Sequence, residues 1–176
     1  MLHYSVKAIY IILVFIIFLS CWNPFAPKLD NSSEGALILT EQKNPQEVLL
    51  NFDYAYTSKD SVLYADLLDS SFVFVYEDIQ LGRLVSWGRD VDLKSTGRLF
   101  RSFDVIDLTW NKEAYSDTSY GPSGEVIIEI PKPFRLALYG SKEGDFAVTG
   151  TAVFSFVKNS YDNKWRIVRW KDESEI

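Results

Sequence analysis

The sequence predicts a single α+β domain with N-terminal helices packed on a strongly curved antiparallel sheet. Three observations carry this expectation. Apolar residues recur at helical spacing between residues 44 and 68, the pattern changes to alternation from Ile106 onward, and the runs that alternate are joined by short turns suited to antiparallel neighbours. Aromatic residues make up 15% of the 176-residue chain, ample material for one core, and no internal repeat divides it.

The first helix is signalled by Asn44-Pro45-Gln46-Glu47, with Asn at the N-cap, Pro at the first helical position and Glu at the third. Val48, Leu49, Phe52, Ala55 and Tyr56 then form one apolar face until Lys59-Asp60 break it. Asp60 caps a second, short helix that turns Leu63, Tyr64, Leu67 and Leu68 inward, and Asp69-Ser70-Ser71 lead into a strand, Phe72 to Tyr76. Ser86 to about Arg101 reads as a third helix with Trp87, Val91, Leu99 and Phe100 near one stripe, although Gly88 and Gly97 weaken it.

Alternation follows. Ile106, Leu108 and Trp110 share one strand face; Val126, Ile128 and Ile130, then Leu136 and Leu138, share another; and Pro131 and Pro133 between them mark a bulge, a bend or an edge. Phe146, Val148, Ala152, Phe154 and Phe156 belong to a long strand, and Lys164 to Lys171 form the last one after the turn Asn159–Asn163. Trp165 and Trp170 differ by an odd number, so in an unbulged strand they face opposite ways and one is free for a pocket or a partner.

Ahead of the domain, Lys7 precedes an apolar run from Ala8 to Leu19 that is too short to span a hydrocarbon core, which takes about 20 residues. Residues 1–20 therefore read as a signal peptide. Ser20-Cys21 at its end resembles the lipobox of bacterial lipoproteins, in which the cysteine is acylated and becomes the new N-terminus; palmitate is one such acyl chain. The alternative is an uncleaved signal anchor. Residues 21–43, with two prolines and several turn formers, read as a tether, and 44–176 as the folded domain. A flexible stretch of roughly 20 residues reaches about 25 Å. Trp22 stands where an aspartate would resemble an inner-membrane retention signal, which points to the outer membrane in a two-membrane cell.

Cleavage would remove Lys7 from the 18 basic residues and none of the 24 acidic ones, leaving 17 against 24 and a net charge of −7. That balance argues against nucleic acid and against a basic membrane-binding patch, so membrane attachment must come from a lipid on Cys21. The only histidine, His3, lies in the signal segment, and the only cysteine is Cys21. The domain therefore holds no Ser-His-Asp triad, no Cys-His dyad, no zinc site with nitrogen or sulfur ligands and no disulfide. No cofactor is called for, and Asp60, Asp66 and Asp69 lack the dense spacing of a calcium loop.

The run Pro45-Gln46-Glu47-Val48-Leu49-Leu50-Asn51-Phe52-Asp53-Tyr54-Ala55-Tyr56, followed by Asp60, Tyr64, Leu67, Leu68, Phe72 and Phe74, resembles the opening of nuclear transport factor 2-like domains, also described as SnoaL-like or cystatin-like. The close, from Lys164 to Asp172, is similar to the last strand of that superfamily. The resemblance implies a cone in which helices wrap a curved sheet around a pocket. It also implies a range of roles: isomerases, dehydratases, cyclases, transport factors and pocket-bearing proteins without assigned activity. The histidine of dehydratase-like members is absent.

An isomerase-like mechanism needs a carboxylate base of raised pKa and a hydroxyl donor in an apolar pocket. Glu129, Asp107, Tyr76 and Tyr139 are the candidate residues, with Glu129 best placed if the mixed strand face lines the cone; a mixed face that simply meets solvent is the plainer reading. Trp87, Trp110 and Trp170 are candidate pocket walls, against ordinary core packing. The sequence thus leads to a lipid-anchored envelope protein that binds an apolar small molecule or an envelope protein without catalysis. The other readings are an Asp/Glu–Tyr isomerase or cyclase and a structural or assembly lipoprotein.

Overall fold

The computed structural model describes residues 39–111, 115–142 and 144–174. Residues 1–38, which include the stretch read as a signal peptide, Cys21 and most of the stretch read as a tether, lie outside the described residues.

Helix α1 (Pro45–Thr57) begins as its sequence dictates: Asn44 accepts from the Glu47 backbone N–H at 2.9 Å. Glu47 reaches one residue beyond the usual box, accepting from the Lys43 N–H at 2.8 Å and from the Asn44 side-chain amide at 3.0 Å. Val48, Leu49, Phe52, Ala55 and Tyr56 are buried together. Asn51 is buried beside them and pairs both ways with Thr40, accepting from its N–H at 2.8 Å and donating to its carbonyl at 3.1 Å. Together with the bond from Trp165 N–H to the Gln42 carbonyl, this holds residues 40–43 against the domain.

The helix ends in a paired reverse turn: Lys59 N–H bonds the Tyr56 carbonyl and Asp60 N–H the Ala55 carbonyl, with Lys59 at φ 58°. Asp60 then caps α2 (Ser61–Leu67) through the N–H groups of Val62 and Leu63, both at 2.9 Å. The chain passes directly into β1 (Leu68–Asp78).

Trp87 is not on a helix. It belongs to β2 (Arg83–Gly88), which pairs antiparallel with β1, and α3 runs from Arg89 to Ser102 with Gly88 as its cap. Of the expected stripe, Phe100 is buried and Leu99 packs against the core, but Val91 is exposed, and α3 also buries Asp92, Thr96 and Gly97. The remaining strands are β3 (Val105–Trp110), β4 (Asp117–Tyr120), β5 (Val126–Ser141), β6 (Gly144–Lys158) and β7 (Trp165–Ser174).

The strand order is β2-β1-β7-β6-β5-β3, with β4 also on β5. The sheet is mixed rather than wholly antiparallel: the hairpin neighbours are antiparallel, but β1 and β7 pair in parallel, which the long stretch of chain between them permits. Pro131 and Pro133 do not interrupt the β5–β6 ladder, whose register runs unbroken from Ile127 to Leu138. On its other side β5 changes partner at that point, from β4 at Val126–Glu129 to β3 at Phe134–Tyr139, and Asn111 N–H bonds the Pro133 carbonyl at 2.8 Å. The proline nitrogen of residue 133 shares that side of the strand, so its missing N–H costs no bond to β6. The three helices cover the concave face of this curved sheet, and Phe52, Tyr64, Phe72, Phe154, Phe156 and Ile167 form the centre of the core.

Candidate functional site

A cavity of about 430 Å³ opens on the concave face, walled by α1, by Leu99 of α3, by Phe74 of β1 and by residues of β3, β5, β6 and β7. Its size falls in the range of small-molecule sites. Aromatic rings dominate the wall: Phe52 and Tyr56 from α1, Phe74, Trp110, Phe134 and Trp170 from the sheet. They support one another, Phe52 lying edge to face with Trp170 at 5.5 Å and tilted against Trp110 at 5.8 Å between ring centres. Phe146 of β6, 48% exposed, stands in the wall with Phe103 packed against it at 5.9 Å.

One irregularity in β7 decides what faces this space. Phe156 of β6 pairs with Ile167, but the next residue back, Ser155, pairs with Arg169, so Val168 is an inserted bulge residue. Ahead of the bulge, Ile167 points into the core; beyond it Trp170, Asp172 and Ser174 take the inward positions. Trp165 and Trp170 consequently both pack on the core, against the expectation for an unbulged strand.

Asp172 is the one charged side chain lining the cavity among the described residues. It accepts from the Ser174 N–H at 3.1 Å and from the Ser174 hydroxyl at 2.9 Å. Burial pushes its carboxyl above the ordinary range, and these two bonds only partly offset the shift. Gly150 on β6 faces Ser174 so closely that an added Cβ would come within 2.4 Å of the Ser174 Cα, which is why the end of β7 can lie where it does.

Behind the wall runs a buried polar chain. Tyr56, whose ring lines the cavity, has Thr96 and Tyr64 as hydrogen-bonding neighbours. Tyr64 donates to Asp92 at 2.6 Å, and the Trp87 indole N–H donates to the other Asp92 oxygen at 3.1 Å. Burial raises both tyrosine hydroxyls and the Asp92 carboxyl above their ordinary values.

Of the residues singled out in the sequence, Trp110 and Trp170 line the cavity. Trp87 does not; it stacks on Phe74 at 4.4 Å and serves Asp92. The four catalytic candidates also lie off the cavity wall. Asp107 is exposed between the inward residues Ile106 and Leu108, where its charge adds to burial in raising the carboxyl of Asp53. Glu129, beside the buried Ile130, is half-buried on the opposite face and accepts from the Ser155 hydroxyl at 3.2 Å. Tyr139 is exposed at the β3–β5 edge, and Tyr76 lies against Trp87, 5.6 Å between ring centres. Tyr56, Asp172 and Ser174, polar residues that do face the cavity from α1 and β7, lay hidden in the sequence: Tyr56 reads as part of the apolar helix face, and Asp172 only closes the stretch that resembles the family's last strand.

No protein-family model matches the chain, and no curated protein does. Among solved structures it is similar to a conserved protein from Planctomyces limnophilus, at 14% identity and a TM-score of 0.56 over 74% of this chain and 92% of that one. A nuclear transport factor 2-like protein of unknown function from Shewanella baltica matches at 13% identity and a TM-score of 0.50, over 74% and 90% of the two chains. A protein with a cystatin-like fold from Caulobacter vibrioides matches at 10% identity and a TM-score of 0.50, over 74% and 87%. Identities this low speak to fold and not to activity. The three helices on a curved mixed sheet, with these neighbours, give the chain the nuclear transport factor 2-like, cystatin-like fold.

Proposed function

We propose that this chain is a bacterial cell-envelope lipoprotein, anchored through an acylated Cys21, whose domain binds a small apolar molecule without transforming it. The cavity carries the binding part of this reading: about 430 Å³ walled mainly by aromatic and aliphatic side chains. The anchoring part rests on Lys7, the short apolar run and the Ser20-Cys21 junction.

Each part has its own test. Cys21→Ser releases the protein from the membrane fraction and removes an acyl mass from the N-terminal peptide; a variant that stays membrane-bound, with no acyl mass on the wild type, contradicts anchoring. For binding, the neutral dye Nile red is expected to brighten on the wild type and not on Leu136→Trp, which puts an indole into the cavity. A folded wild type that takes up no apolar probe contradicts the reading.

One observation favours a second reading. Asp172 and Tyr56 face the same cavity, and the Asp172 carboxyl is raised by burial, as a general base requires. Exchange of activated C–H protons of a hydrophobic ketone into deuterated water, lost in Asp172→Asn, would establish it.

A further inference from the structure

The cavity has a charge asymmetry that its apolar walls do not explain. Seven aromatic rings line it, and Asp172 is its only charged lining residue among those described. Ring faces repel a carboxylate and attract a cation. Yet no basic side chain among the described residues pairs with Asp172: its hydrogen bonds come from Ser174 alone, and the neighbouring Lys171 bonds Glu173. Lys132 sits on the same cross-strand row, two strands away on β5. The chain as a whole is acidic, with a net charge of −6, so its field draws cations rather than anions.

We infer that the cavity selects an apolar amine, with the ammonium seated at Asp172 and the hydrocarbon part held between Phe52, Trp110 and Trp170. This rests on the binding reading above and names its ligand class. A carboxylate capped by a single serine keeps lone pairs free for an incoming N–H donor, and the bulge at Val168 is what turns that carboxylate inward. The upward shift of the Asp172 carboxyl fits: burial acts on it with no cation to counter it, and an ammonium in the cavity supplies that cation.

The test uses two probes of matched shape, 1-naphthylmethylamine and 1-naphthylmethanol, titrated calorimetrically into the wild-type domain at pH 7. The amine is expected to bind about tenfold tighter than the alcohol. Asp172→Asn, nearly isosteric and still able to accept from Ser174, should erase that preference and leave the alcohol's affinity in place. Equal or tighter binding of the alcohol to wild type overturns the inference while leaving apolar binding standing, and so does an amine preference that survives in Asp172→Asn. If neither probe binds and Nile red does not either, the binding reading itself falls and the inference with it. Ser174→Ala checks the variant's integrity: it keeps the carboxylate and should keep the amine preference.

Discussion

The Tyr64 hydroxyl donates a 2.6 Å hydrogen bond to Asp92, and both residues are almost fully buried behind the cavity wall. Asp92 has no cation partner among the described residues; two neutral donors, Tyr64 and Trp87, hold it. Tyr64→Phe should cost about 1.5–3 kcal/mol in urea unfolding, the range for a bond to a charged group. Asp92→Ala should cost more, about 2–5 kcal/mol, because it strands two buried donors. The double variant should lose less than the sum, since both changes strike one interaction.

Lys59 takes a left-handed conformation where glycine is the usual choice, and its ammonium explains why. The Nζ donates to the carbonyls of Phe103 and Asp104 at 3.1 and 3.0 Å, tying the end of α1 to the end of α3. Lys59→Met keeps the strained backbone and loses the tie, so it should lower the melting temperature more than Lys59→Gly, which relaxes the backbone as it loses the tie. The reverse order in thermal melts would contradict this role.

Arg166 grips Asp162 with two bonds, at 2.6 and 3.0 Å, and holds its carboxyl down at about 2 from an ordinary 3.8. A carboxyl depressed in the folded state adds stability above its unfolded pKa and loses it as pH falls through the folded one. Wild type should therefore lose stability between about pH 4 and pH 2 more steeply than Asp162→Asn, with the two converging near pH 2. Melting temperatures across that range read the difference directly.

Gly150→Ala should push the end of β7 away from β6, because the new Cβ meets the Ser174 backbone. A cost of about 1–3 kcal/mol is expected for such overpacking. Nile red binding should weaken too, since Ser174 and Asp172 shift with the strand; unchanged binding would separate the strand end from the site.

What could be read in the sequence was what local chemistry decides. The caps at Asn44 and Asp60, the buried face of α1 and the long alternations of β5 and β6 depend on neighbours a few residues away, and each stands where its residues imply. Strand β2 escaped because only Val85 and Trp87 of its six residues turn inward, too few to set a period beside the helix that follows. The site escaped for a different reason. Inward and outward alternate along β7, and the single extra residue at Val168 exchanges them. Without it Arg169, Lys171 and Glu173 would face the cone; with it Trp170 and Asp172 do. Nothing in Lys-Asp-Glu-Ser announces a cavity wall, because a bulge is fixed by pairing with β6 and not by the residues it redirects.

The central claim, that the cavity is a binding site for a small apolar molecule, is tested most directly by native mass spectrometry of the protein purified from its own host, wild type beside Leu136→Trp. The account predicts that the wild type carries an additional mass of a few hundred daltons that denaturation releases and that Leu136→Trp lacks. A wild type at its bare mass, which also takes up no Nile red when folded, would contradict it.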